Sequence, residues 1–450
     1  MKITSIILPA AAIGAALLFV VPEKQADGFT TIGGSLSLSL RDFRVWNNFS
    51  DAGANNNTTE DPLFPGYDGA TRAIWKGALE WGSVNHGSAS GDPLQTELGS
   101  GGANFDFAFA GETNSAGGTN SNIVSVLSGS SGGTLAFVQT PISNGWTMKF
   151  YDGGISWADG PGTIGFNQYD IQSVACHEFG HALGLGHTGV GGATMTPSTS
   201  NGSESPRSIA SDDIAGVQSI YGVASNNKVL ITNATTFNSQ VTITGTGFSS
   251  SGNEVWFTPQ SPNLSASMTV VSNVASTNGG TEINISIPSA AGPGDVLVKR
   301  QGTGGDDLSN AWPLDPTLNV CPTPVTYCVG KLSSNGIPST ISYGGLNSIS
   351  DNSFVLLNFH GLPFKNGLFF RGTGQTSIPF QGGTLCTNPP LARGPVTLSD
   401  GLGLMSWSPT WEILVDFGAT YSYQAWVRDP QNPDGTGTSL SDAVEVFVCL

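Results

Sequence analysis

Residues 177–187 read His177-Glu178-Phe179-Gly180-His181-Ala182-Leu183-Gly184-Leu185-Gly186-His187. Two histidines four apart on a helix leave the same face, one turn apart. Such a pair can grip one metal ion at about 2.0–2.1 Å. Glu178 lies beside them, near enough to act on a water at the metal without being a ligand. Gly184 can take a positive φ, which ends the helix and turns the chain back. His187 can then supply a third ligand. Three neutral imidazoles with an open fourth position describe a catalytic zinc site rather than a closed structural one. A bare His-Glu-x-x-His arises by chance in many helices. The added glycine and third histidine restrict the reading, and three of the chain's 5 histidines fall here.

Working outward, residues 169–183 form the helix that carries this motif, with Asp170 suited to its N-cap. A second helix is expected over residues 70–81, with Ala70, Ile74, Ala78 and Trp81 on one face at helical spacing. A third is expected over residues 211–221, capped by Ser211, with Asp212 and Asp213 in its positive first turn and Gly222 as its stop. Between the first two in chain order lie alternating segments, 104–110 and 134–139, and a short apolar one at 148–151, which read as strands. The region 29–224 is therefore expected to be an α+β domain, a twisted sheet with three helices.

After residue 225 the texture changes to strands alone. Segments 241–248, 254–257, 282–288 and 295–300 are separated by Gly, Ser and Pro turns, which suggests a small β-sandwich over 225–316. Residues 317–450 read as a third, all-β unit, with strands at 354–359, 368–371, 423–427 and 444–448. Four of the 5 cysteines, Cys321, Cys328, Cys386 and Cys449, lie in that unit. An even set fits two disulfides in an oxidising compartment, and three pairings remain open. Cys176 is left over and reads as a small buried apolar residue.

Composition narrows the partners. With 16 Lys+Arg against 33 Asp+Glu the net charge is -17, and no basic run offers a footprint for nucleic acid. At the N-terminus, Lys2 precedes an uncharged apolar stretch from Ile3 to Pro22, followed by Ala26-Asp27-Gly28. This reads as a secretory signal peptide over residues 1–28, cleaved before Phe29, with an uncleaved anchor as the competing reading. No other segment can span a bilayer, so the mature chain is expected to be exported without stable membrane insertion. Nothing in the sequence specifies an oligomeric state.

The eleven residues of the motif resemble the zinc signature of the metzincin clan of metalloendopeptidases. Ala193-Thr194-Met195-Thr196-Pro197 resembles the Met-turn of the matrixin branch, with Met195 as the apolar floor beneath the zinc. Residues 207–222 resemble its closing helix, 70–81 its first helix, 104–109 its third strand and 134–138 its substrate-side edge strand. The resemblance spans about residues 36–222. It implies one catalytic zinc held by His177, His181 and His187. It also implies Glu178 as general base, and polypeptide substrates cut at internal bonds. Zinc would lower the pKa of its water toward about 7 and polarise the scissile carbonyl. The backbone of Leu135 and Ala136 would hold an extended substrate as an added strand.

There are departures from the family. No cysteine lies between Phe29 and Ala175 to plug the zinc. Only His86 is at hand for a structural zinc, so a second zinc is not expected. No Tyr follows Met195 to stabilise an oxyanion. Calcium is a candidate structural ion at Asp152 and Asp159, which lie among glycines in residues 151–162. His86 and His360 read as loop or surface residues. Residues 226–312 resemble an IPT/TIG immunoglobulin-like domain through VTITGTGF, EVWF and IPSAAGPGDVLVKR. The last region resembles a C-terminal β module of large secreted bacterial proteins. The rival to a protease is a surface adhesion protein whose protease domain is a relic. Glu178 argues against it, since a relic tends to lose its base before its fold.

Overall fold

Helix α1 spans Gly69–Leu79, α2 spans Ile171–Leu183 and α3 spans Ser211–Tyr221. The computed structural model describes residues 28–449 except 131, 140–141, 263–266, 319–320, 350, 352, 413–414 and 417. The signal-peptide reading falls on residues 1–28, of which 1–27 lie outside the described residues. Asp170 caps α2 as expected, its carboxylate accepting the Ser173 N–H at 2.8 Å. Gly184 ends α2 at φ 107° and Gly222 ends α3 at φ 80°. Ser211 does not cap α3. Ala210 holds the N-cap, and Asp213 reaches back to accept the Ala210 N–H at 2.8 Å. The carboxylate supplies the N3-to-N-cap half of a capping box, which an alanine cap cannot return.

The chain divides into two compact units. The first comprises residues up to 230 together with 253–272 and 294–313. Its main sheet has five strands: β1 Asp42–Val45, β2 Ala108–Glu112, β3 Ile123–Leu127, β4 Ala136–Gln139 and β5 Thr147–Tyr151. Their order is β2-β1-β3-β5-β4. All pairs are parallel except β4 with β5, which runs antiparallel and leaves β4 as an edge. The parallel strands are buried, as parallel strands covered by helices usually are. Helix α2 is fixed to the sheet by Phe179, whose ring meets Phe43, Phe107 and Trp146 at 5.2, 5.0 and 5.5 Å. Phe179 lies about 200° around the helix from both His177 and His181, so anchoring it turns the histidines away from the sheet.

Helix α1 departs from the one-faced reading: all eleven residues are buried, Arg72 and Lys76 included. Arg72 gives a hydrogen bond to the Thr59 carbonyl at 2.6 Å, and Lys76 lies 4.0 Å from Asp92. Loops cover the face that the spacing left to solvent. His86 is likewise buried rather than on the surface, paired with Asp295 at 2.7 Å.

The second unit comprises residues 231–252, 273–293 and 314–450. It is built of strands. A five-stranded sheet runs Val325–Tyr327, Thr438–Phe447, Thr420–Arg428, Asn366–Gly372, Ala392–Leu398, and a three-stranded one Thr340–Gly344, Val355–Phe359, Leu404–Trp407. The disulfides are Cys321–Cys449 and Cys328–Cys386, and Cys176 is a buried free thiol. His360 is fully buried, its Nδ1 accepting the Leu362 N–H at 3.1 Å, so it and His86 are loop residues, as the reading allowed, and not surface ones. Among the described residues no helix is long and apolar enough to cross a membrane.

Candidate active site

His177, His181 and His187 bring their ligand nitrogens within 4.8 Å of one another. The Nε2 atoms of His181 and His187 are 3.2 Å apart. Two ligands about 2.05 Å from a tetrahedral ion would stand roughly 3.3 Å apart, so this spacing suits zinc. The opposite ring nitrogens are engaged by the backbone. His177 Nδ1 lies 2.7 Å from the Thr194 carbonyl, and His181 Nδ1 lies 2.8 Å from the Leu185 carbonyl. A carbonyl can only accept, so Nδ1 carries the proton and Nε2 keeps its lone pair for a metal. Burial pushes His177 down to about 4 and His181 in the same direction, which favours the neutral ligand form.

Two glycines make the arrangement fit. Gly184, at φ 107°, turns the chain so that Leu185–Gly186 pairs antiparallel with Thr30–Thr31. Thr30 Oγ1 then donates to the His187 carbonyl at 2.7 Å. At Gly180 a Cβ would run into Met195 Sδ, so the Met-turn packs against α2 only because that position has no side chain. Met195 itself is buried.

The Met-turn backbone is clamped from below. Asp213 accepts the N–H of Thr194 at 2.7 Å and that of Met195 at 3.0 Å. The peptide of Thr194 thus receives Asp213 on one side and offers its neighbouring carbonyl to His177 on the other. Sequence reasoning placed Asp213 only as a helix-dipole partner. A carboxylate three residues into a helix, behind an alanine cap, was the available signal.

Glu178 is buried and its Oε2 has no hydrogen-bond partner, while the Val138 N–H bonds the carboxyl. Burial raises the carboxyl to about 8, and the Val138 contact opposes that rise. A dication beside it would pull it back toward the ionised form. Glu178 lines the same cleft as the three imidazoles, where a water or a metal would satisfy the orphaned oxygen.

A cleft of about 570 Å³ opens over these groups. Leu135 and Ala136 line one wall, Tyr169 and Val174 the α2 side, and Pro197 and Pro206 the stretch after Met195. The Leu135 carbonyl is engaged by the Tyr151 N–H at 2.9 Å. By the alternation of an antiparallel pair, Ala136 and Val138 therefore turn their backbone groups to the open edge. Asp152 and Asp159 are not among the residues that line this cleft. Asp152 accepts the Ser50 N–H and Asp159 the Asn57 N–H. The histidine trio is the metal-ligand cluster found among the described residues.

Residues 117–222 match the Matrixin family model. Metalloendoproteinase 5-MMP of Arabidopsis thaliana is 40% identical over 96 residues, 20% of this chain and 26% of that protein. Human matrilysin is 35% identical over 97 residues, 22% of this chain and 35% of that protein. Human neutrophil collagenase is 48% identical over 58 residues, 13% of this chain and 12% of that protein. The chain therefore spans about a third or less of the length of these relatives. The stretch matched by the family model, 117–222, contains the three histidines, Glu178, Met195 and Asp213.

Proposed function

We propose, from the matrixin domain at residues 117–222, that this chain is a secreted zinc endopeptidase cutting internal bonds of extended polypeptides. A matrixin domain has an α+β fold of the metzincin type and belongs to a family of zinc metalloendopeptidases. The observation that carries the reading is the unpartnered Oε2 of buried Glu178 in the cleft that three converging imidazoles line.

His177, His181 and His187 would hold zinc, which when bound acts as a Lewis acid and activates water near neutral pH. The chain's own groups do the rest. Ala136 receives the substrate backbone as a strand added to the edge of β4. Glu178 Oε2 takes a proton from the attacking water and passes it to the leaving amine. The Val138 N–H steadies the same carboxyl during both transfers. The walls at Val174, Pro197 and Pro206 exclude water from one side of the cut. Calcium at Asp152 or Asp159 would be a structural ion and take no part in the proton transfers.

Export rests on the apolar N-terminal stretch and on the two disulfides, which suit an oxidising compartment. The IPT/TIG-like stretch and the last β unit are proposed as accessory modules on their resemblance. The deciding experiment compares wild type with Glu178→Ala for zinc content and for cleavage of a denatured protein, with and without a chelator. One zinc in each, with cleavage by wild type only and abolished by the chelator, is the expected result. Zinc in both and cleavage by neither would sink the protease reading.

A further inference from the structure

Strand Ala291–Lys299 delivers one carboxylate into the interior of the first unit. Asp295, its side chain fully buried, accepts the Trp75 indole N–H at 3.0 Å and meets His86 Nε2 at 2.7 Å. Trp75 lies on α1, and its ring stacks on Phe109 of β2 at 4.3 Å. Beside them, Thr258 Oγ1 donates to the Phe109 carbonyl at 2.7 Å and accepts the Asp295 N–H at 2.8 Å. Strand β2 is the edge of the main sheet opposite β4, so this hydroxyl covers the edge remote from the cleft.

The apolar packing is continuous across the same boundary. Met268, Leu297, Leu308 and Ala311 belong to one buried cluster with Trp75, Phe109 and Phe179. A second buried ion pair, Lys228 with Asp106 at 3.0 Å, is completed by the Gly305 and Leu308 carbonyls at 2.9 and 2.7 Å. Buried charges of this kind persist only where partners are in place, since an unpaired buried carboxylate is strongly disfavoured. Asp295 finds its side-chain partners only with residues far along the chain, and Asp106, which also accepts from Ser83, finds its counter-charge only in Lys228.

We infer that residues 253–262, 267–272 and 294–313 are a fixed structural component of the catalytic unit and not a detachable spacer. The surface built by Trp75, His86 and Phe109 fits one partner, the Thr258–Asp295 strand pair of the same chain. The competent species therefore keeps its chain at least to Pro313, and a trimmed form ending near residue 224 loses the order of α1. This goes beyond the proteolytic reading and is tested without it.

In the full chain, a cleavable site placed at residues 226–227 is cut and the product passed through a native sizing column. The two pieces should co-elute, with amide exchange in residues 69–79 within twofold of the uncut chain. Separate elution, with that exchange unchanged, would overturn the inference. In the uncut chain, Asp295→Leu should speed exchange in both 69–79 and 291–299 at least tenfold, whereas Asp434→Ala leaves both unchanged. Unaltered protection of 69–79 in a folded Asp295→Leu chain would equally overturn it. The cutting experiment does not depend on that variant folding.

Discussion

Asp213 and Met195 are joined by a 3.0 Å hydrogen bond from the methionine N–H to the carboxylate, and the same carboxylate holds Thr194. The Thr194 carbonyl orients His177, so Asp213 acts on the metal through one peptide unit. Outer partners of this kind typically matter by 10–100-fold in metal affinity. Asp213→Asn keeps the shape but turns amide donors toward backbone donors. Zinc affinity in that variant should fall by about 10–100-fold, read by chelator competition. A folded Asp213→Asn protein with wild-type zinc affinity would show that the clamp does not reach the metal.

Gly184 joins two of the three ligands to the third, at a φ of 107°. A Cβ there would sit 3.1 Å from the Gly34 carbonyl and 3.2 Å from Ile220 Cδ1. The left-handed conformation alone costs a non-glycine residue about 1–2 kcal/mol. Gly184→Ala should lower the melting temperature by roughly 2–8 °C, at about 2–4 °C per kcal/mol for a unit of this size. It should weaken zinc binding as well, because His187 is displaced. Calorimetry with and without zinc separates the two effects. An unchanged zinc-induced rise in melting temperature would mean that His187 is placed by Thr30 and not by the glycine.

What the sequence showed and what it hid divides by distance along the chain. His177, His181, Gly184 and His187 lie within one eleven-residue stretch, and a helix with its glycine stop brings them together. Helices α1–α3 were legible for the same reason. Strand β1 was not, because its four residues, Asp-Phe-Arg-Val, carry two charges and too few alternations to register. Its pairing is with strands more than sixty residues away. The burial of His86 was hidden because its partner, Asp295, lies 209 residues on. Ser211 misled because the helix begins one residue earlier than its hydroxyl suggested, with Ala210 at the cap and its N–H taken by Asp213. The four cysteines allowed three pairings, and only the folded sheets choose between them.

Those pairings carry a quantitative expectation. Cys321–Cys449 spans 128 residues and Cys328–Cys386 spans 58. Loop-closure entropy grows only with the logarithm of length, so the two bridges should differ by about 0.7 kcal/mol in that contribution. Each should still contribute about 2–5 kcal/mol to its unit. Replacing either pair by serines should lower the urea midpoint of unfolding by similar amounts, with zinc content as the internal control. A loss confined to one pair would show that native-state strain, not chain entropy, sets their worth.

Asp42 opens β1, and burial raises its carboxyl to about 6 from a usual value near 3.8, against the pull of Arg44. The sign follows from which state holds the proton. Between pH 4 and 6 the folded chain keeps it and the unfolded chain has lost it, so this group's contribution to stability falls as pH rises. Above pH 6 the full penalty is present. Two pKa units correspond to about 3 kcal/mol at most, and partial exposure of the side chain reduces that to roughly 1–2 kcal/mol. Asp42→Asn removes the charge and should melt about 2–8 °C above wild type at pH 7.5. The gap should close below pH 4, where both side chains are neutral in the folded and unfolded states. Melting curves of the two zinc-loaded proteins at matched ionic strength, taken from pH 3.5 to 8, measure it directly. Other carboxylates titrate in both proteins alike and cancel in the difference. A gap that stays constant across that range would assign the effect to packing, not to ionisation of Asp42.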